Sequence, residues 1–367
     1  MKLETDKITP SQLLFSTACF IQASSLLTAY LAGVTDYDSW FVVITGIVAC
    51  MPLLLVYLGL MKLYPGKNLV EINDLALGKV LGKIASFLHI LFFLTLATLN
   101  LRDLSLFVKQ TIMDKTPDVI LSAACVIVSA MAVRYGLKVV TRFAFIFITI
   151  SVTVLGASLL FASGQMDLNN FLPALQKPPI TYVQGTNVAL SIPFGELVVF
   201  LMILPYVRAR QKPIGRYFVG GFLLGAVMFL LVVFRDTAVL GNTLSLFALP
   251  AFETLRLINV FGTLSRLEIL FAIVLVVLLF FKVSLLHYTT TLAAAQALGM
   301  KSYKPLAYVI GVLMIGYSFT LYPSNIQHAS SGAETSTILW QLFEFILPLL
   351  ALVAGKIRKG KTKGAEA

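Results

Sequence analysis

Charge is scarce in this chain. Only 12% of its 367 residues are Asp, Glu, Lys or Arg, against about 25% in an ordinary soluble domain. That is too little charge to coat a water-soluble body of this size, so a soluble globular fold is excluded. Cysteine is sparse too. Cys19, Cys50 and Cys125 sit singly inside apolar runs, where they read as small hydrophobes and offer neither a disulfide framework nor a metal site. No Walker loop, HExxH pair, CxxC pair or glycine-rich dinucleotide fingerprint occurs, and nucleotide-driven motors, zinc peptidases and dinucleotide enzymes need those motifs. The sequence therefore suggests no catalytic residues, no cofactor and no enzyme activity. Acidic side chains are the scarcer sign, 17 against 28 basic. The resulting +11 does not point to a nucleic-acid partner. The basic residues lie in short clusters between apolar runs, where membrane lipids and orientation account for them. The opening MKLETDKITPSQ carries acidic residues and no small-residue cleavage site, so the first apolar run is expected to stay in the protein.

What is abundant is apolar residues, 58% of the chain. A membrane-spanning helix needs about 20 of them in succession. Ten segments qualify: 11–32, 39–61, 83–108, 118–133, 140–163, 187–207, 216–236, 264–292, 305–322 and 337–355. Pro and Gly mark most of the breaks between them, as at helix ends. The third and eighth segments are long enough to tilt or bend, and 245–262 is short and polar enough to lie flat at the interface. The expectation is one all-α membrane domain over 1–367 with ten transmembrane helices. With a cytoplasmic N-terminus, 20 of the 28 Lys and Arg residues fall on the cytoplasmic side and seven on the other. Such a bias orients membrane proteins, and it predicts both ends in the cytoplasm.

Polar residues inside the spans are the candidate site. The first span carries Gln22, Ser24 and Ser25 beside Ala23. Small and hydroxyl residues there allow close helix packing, or line a substrate site. The sixth span reads SIPFGELVVF. Pro193 removes an amide donor, Gly195 loosens the backbone and Glu196 is ionisable. Those departures, around Phe194, predict a broken helix that contacts a ligand or serves as a structural kink. A buried Glu196 needs a partner or a proton. Lys282, the deepest charge in the eighth span, and His287 beyond it read as a polar path or as structural pairs. Asn100, Arg102 and Asp103 lie near the outer end of the third span, and Arg102 and Asp103, being neighbours, point apart. Glu344 leaves structure and function open, and His89 reads as a satisfied core histidine.

Several stretches carry a family resemblance. ITPSQLLF, LYPGKNLVEI followed by LGKVLGKI, VRYGLKVVTRFA, LPALQK, SIPFGELVVFLMILPYV and LYPSNI stand in this order from about residue 8 to 355. Together they resemble the B subunit of the spore germination receptors, a branch of the amino acid/polyamine/organocation transporter superfamily. The resemblance implies a LeuT-like fold of two inverted five-helix repeats, here about 11–163 and 187–355. Its first and sixth helices unwind at mid-membrane around the ligand, at Gln22–Ser25 and Pro193–Glu196. It implies an amino-acid-like germinant, partner A and C receptor subunits and a place in the spore inner membrane; the alternative is a proton- or ion-coupled amino acid transporter. A cavity of amino-acid size is expected between the two breaks. The sequence departs from the family in two places. The first helix lacks the glycine many members carry there. Span 140–163 lacks the lysine some proton-coupled members place in their fifth helix, so the resemblance assigns no coupling ion.

Overall fold

The computed structural model describes residues 3–208, 213–257, 267–322, 327, 331–332 and 335–365. Helices joined by short loops account for nearly all of them. In chain order they are α1 (Pro10–Gln22), α2 (Thr28–Thr35), α3 (Ser39–Leu63), α4 (Leu69–Leu77), α5 (Lys79–Thr111), α6 (Asp118–Tyr135), α7 (Leu137–Val140) and α8 (Ala144–Ala162). Then come α9 (Pro179–Ala189), α10 (Ile214–Leu240), α11 (Pro250–Leu257), α12 (Leu267–Ala297), α13 (Leu306–Thr320), α14 (Thr335–Gln341) and α15 (Leu347–Ala365).

Local chemistry sets the boundaries. Thr9 caps α1: Gln12 N donates to Thr9 Oγ1 at 3.2 Å, Thr9 N donates to Gln12 Oε1 at 2.8 Å, and Pro10 begins the helix. This reciprocal pairing satisfies two donors that the first turn leaves without partners. Asn68 and Glu71 repeat the device at α4. The chain turns from α4 into α5 at Gly78, whose φ of 90° disfavours any other residue.

Among the described residues, eight helical runs are long and apolar enough to cross a bilayer. They differ from the ten expected spans for physical reasons. The first expected span is broken: α1 and α2 are separated by a 3₁₀ stretch, and α2 runs on into α3 as a single stretch, Thr28–Leu63. The ninth, α13, is apolar but only 15 residues long. At 33 residues α5 is about 50 Å long, more than a bilayer core of about 30 Å, so it tilts or protrudes. The end of the interfacial segment 245–262 and the start of span 264–292 fall in 258–266, outside the described residues. Arg210, Lys212 and the PSNI of LYPSNI lie outside them too.

The bundle is a multi-spanning membrane body. Its outer surface is apolar: Val48, Leu55, Ile127, Leu160 and Val312 are exposed on the faces of α3, α6, α8 and α13. Many polar side chains of the spans, among them Thr98, Ser129, Lys282 and Thr290, are buried inside, the reverse of a water-soluble helix bundle. α5 and α12 pack along each other through the centre, α1 lies against α10, and α9 lies against α3.

Candidate functional site

Both expected breaks are present. In the first helix a 3₁₀ stretch, Ala23–Leu27, interrupts the α-helix directly after Gln22. Freed carbonyls there are met by the chain's own hydroxyls: Ser25 Oγ donates to Gln22 O at 2.7 Å and Thr28 Oγ1 donates to Ser25 O at 3.2 Å. A glycine is therefore not needed for this opening. In the sixth helix, α9 passes into a π-helical stretch, Leu190–Phe194, and then a 3₁₀ stretch, Gly195–Met202. Ile192 leaves helical geometry, with φ −120° and ψ 108°, just before Pro193, which has no amide hydrogen to give.

The two breaks meet at a buried ion pair. Lys282 Nζ, on α12, stands 2.5 Å from Glu196 Oε2 and donates to Ser24 Oγ at 2.7 Å. It also lies 4.8 Å from the centre of the Phe20 ring, whose π-face attracts a cation. All four side chains are buried. Glu196 falls in the first turn of its 3₁₀ stretch, where amide N–H dipoles favour negative charge. One ammonium thus ties the first, sixth and eighth expected spans together at mid-chain depth. Glu196 has the partner the sequence required of it, and Lys282 supplies it.

The other candidate residues are placed as follows. Gln22, Ala23, Ser25, Pro193 and Gly195 are buried around this junction. Phe194 turns its ring against Phe222 and Phe229 of α10, with centroids 5.4 and 6.3 Å away. His287 bonds to Ser129 Oγ and Ala307 O, each at 2.8 Å, on α6 and α13. His89 is a buried core histidine, with Nδ1 2.8 Å from Ala85 O and Nε2 3.2 Å from Phe343 O, one of which takes its N–H.

Among the described residues no hollow of amino-acid size is seen between the breaks; here the expectation is corrected. Two small cavities flank the ion pair instead. One of about 10 Å³ is lined by Gln22, Ser25, Ser151 and Arg235. The other, about 20 Å³, is lined by Tyr30, Asn100, Asp103, Glu196 and Trp340. Each has room for about one water. The reason is geometric: the Lys282 ammonium fills the space between the breaks and draws Ser24 and Glu196 in on it.

Sequence reasoning left Glu344 undecided, and the structure puts it beside the site. It lies in a π-helical stretch, Leu342–Ile346, between α14 and α15. Tyr57 OH bridges this stretch to the sixth helix, 2.8 Å from Glu344 O and 3.2 Å from Gly195 O. Two interruptions of regular helix facing one another is a pattern common at functional sites, but no linear motif announces it.

The bundle end that carries the N-terminus is sealed by residues before α1. Glu4 is buried, and its Oε2 accepts from Tyr303 OH at 2.8 Å, Tyr288 OH at 2.9 Å and Leu137 N at 3.3 Å. Ile8 adds a short parallel bridge to the end of the sixth helix, with Ile8 N donating to Tyr206 O and Arg208 N to Ile8 O. Burial, and then the bond to Glu4, push the Tyr303 phenol well above its ordinary value.

A helical membrane body with two interrupted helices meeting at its centre is the architecture of transporters with the LeuT-like fold, and comparison with solved structures agrees. The chain is similar to MhsT in complex with L-phenylalanine, with a TM-score of 0.62 at 14% identity over 96% of this chain and 98% of that one. It is also similar to an outward-open Na+-coupled sialic acid symporter, with a TM-score of 0.58 at 11% identity over 95% and 88%. At such identities the likeness establishes the fold alone. The sequence profile of the spore germination proteins matches residues 7–328, and the chain belongs to that family. It is 29% identical to spore germination protein KB of Bacillus subtilis (strain 168) over the whole of both chains. It is 24% identical to spore germination protein YndE of the same organism, over 97% of this chain and 98% of that one.

Proposed function

We propose that the chain binds a small amino-acid-like solute between the two broken helices and carries it across the membrane by alternating closure of the two ends. The observation that carries this reading is the Glu196–Lys282–Ser24 junction. An amino acid is a zwitterion: its ammonium matches Glu196 and its carboxylate matches Lys282, so binding exchanges one internal ion pair for two. Removing either partner alone strands a buried charge, which is why a solute offering both charges suits the site. In this reading the N-terminal seal at Glu4 is one of the two gates.

The pattern of packing supports ten spans in two inverted repeats, 11–163 and 187–355. The first broken helix rests on the seventh span (α1 on α10), as the sixth rests on the second (α9 on α3). A two-fold axis in the membrane plane exchanges those contacts. The bias of basic residues favours both ends in the cytoplasm.

Membership in the spore germination proteins favours a second use of the same site. There the solute is a germinant, the protein is a receptor subunit of the spore inner membrane, and closure signals to A and C partner subunits. Either use requires the solute to favour one conformation over the other, with a coupling of about 1–3 kcal/mol. Uptake of radiolabelled amino acids into proteoliposomes, with and without a proton gradient, separates the two. Concentrative, saturable uptake abolished by Glu196→Gln is expected for transport. Saturable binding without uptake identifies the receptor use, and neither binding nor uptake across the amino acids overturns both.

A further inference from the structure

We propose that Glu344 is an exchangeable proton-binding site, holding a proton while the bundle is closed and releasing it when the second half of the sixth helix moves away. The argument starts from a count of partners. Glu344 is fully buried, and among the described residues neither of its carboxylate oxygens has a hydrogen-bond partner. Its carboxyl lies against Gly195, in space that any larger residue's Cβ would occupy.

The ionisable groups facing it from the neighbouring elements are already engaged or carry no charge to offer. Glu196 and Lys282 hold each other. Tyr57 of α3 gives its proton to backbone carbonyls, and His89 of α5, a single donor as a neutral ring, has its N–H taken by Ala85 O or Phe343 O. Cys50 of α3 is a buried thiol. The Ser191 hydroxyl stands close by but donates to Thr337 O, and the Gln341 amide donates to Asn187 and Ser191. The junction therefore contains two carboxyl groups and a single ammonium, which Glu196 holds. An ionised carboxylate with no donor and no countercharge is far costlier in such a place than the neutral acid.

Release follows from the same geometry. The carboxyl is covered by Gly195, so displacement of that stretch admits water. The acid O–H bond then breaks, water takes the proton as hydronium, and the electron pair stays on the carboxylate. An ionised Glu344 competes with Glu196 for Lys282, so proton loss loosens the junction that keeps the bundle closed. The link from this proton to solute movement rests on the transport reading above; the proton site itself does not.

Infrared spectroscopy of the full-length protein in lipid nanodiscs tests it without any solute. At neutral pH the wild type is expected to show the carbonyl stretch of a buried carboxylic acid, shifted in D2O. The Glu344→Gln variant should lose one carboxyl's worth of that band, and Glu344→Asp should move it. Absence of an acid band in the wild type overturns the proposal by itself, even if no variant folds. So does a band that survives undiminished in E344Q.

Discussion

Replacing Lys282 by Met is the most informative perturbation of the junction. Among the described residues Lys282 is the only ion-pair partner of Glu196, so K282M leaves a buried carboxylate with no countercharge. Breaking a buried pair from one side costs about 3–5 kcal/mol. Glu196→Gln is milder. The stranded ammonium keeps Ser24 Oγ at 2.7 Å and the Phe20 ring at 4.8 Å, and a desolvated cation–π contact alone returns about 2 kcal/mol. The double variant E196Q/K282M strands no charge and should lie well above the sum of the singles, close to the wild type. Equilibrium unfolding in mixed detergent micelles, followed by the fluorescence of Trp40 and Trp340, measures all four proteins. A coupling of about 3 kcal/mol is outside the range expected of independent sites. Additive losses would refute the claim that this pair holds the broken helices together.

Three further outcomes follow from the same contacts. Gly195→Ala drives a methyl group into the Glu344 carboxyl and should cost about 1–3 kcal/mol by overpacking, with Glu344→Ala in the same chain restoring stability. Glu4→Ala removes the acceptor of four hydrogen bonds, two of them from tyrosines, and should speed proteolysis of the N-terminal segment in native membranes. The Glu4–Tyr303 contact also fixes a pH dependence. Because the folded phenol titrates above its ordinary value of 10.0, its stabilising contribution is full below pH 10.0 and is lost as the pH rises further. The alkaline loss in thermal stability should therefore be smaller in Tyr303→Phe than in the wild type.

The break in the sixth helix was legible because Pro193, Gly195 and Glu196 fall within four residues of an otherwise apolar span. Lys282 was legible for a similar reason, as a lone charge deep in hydrocarbon. That the two residues pair was not, since the bond joins separate helices and depends on which face each turns inward. The break in the first helix was legible only as polar residues at Gln22, Ser24 and Ser25. What holds it open, the Ser25 and Thr28 hydroxyls returning to their own backbone, is a matter of rotamers. The closed state of the site escaped sequence reading altogether. Hollow size is set by where the Lys282 side chain rests, and composition has no bearing on that. Glu344 escaped because its significance comes from what its neighbours already bond, a property of the whole cluster.

Alternating exposure of the junction is the central claim, and a thiol at position 24 tests it most directly. In a chain with Cys19, Cys50 and Cys125 replaced, Ser24→Cys places a small nucleophile beside the Lys282 ammonium, where its reactive thiolate is favoured. In proteoliposomes, slow labelling by a membrane-impermeant thiol reagent is predicted from the side opposite the N-terminus. Glu4→Ala should add labelling from the N-terminal side. A thiol that stays unlabelled from both faces, with and without the Glu4 substitution, would show a static packed core and contradict the account.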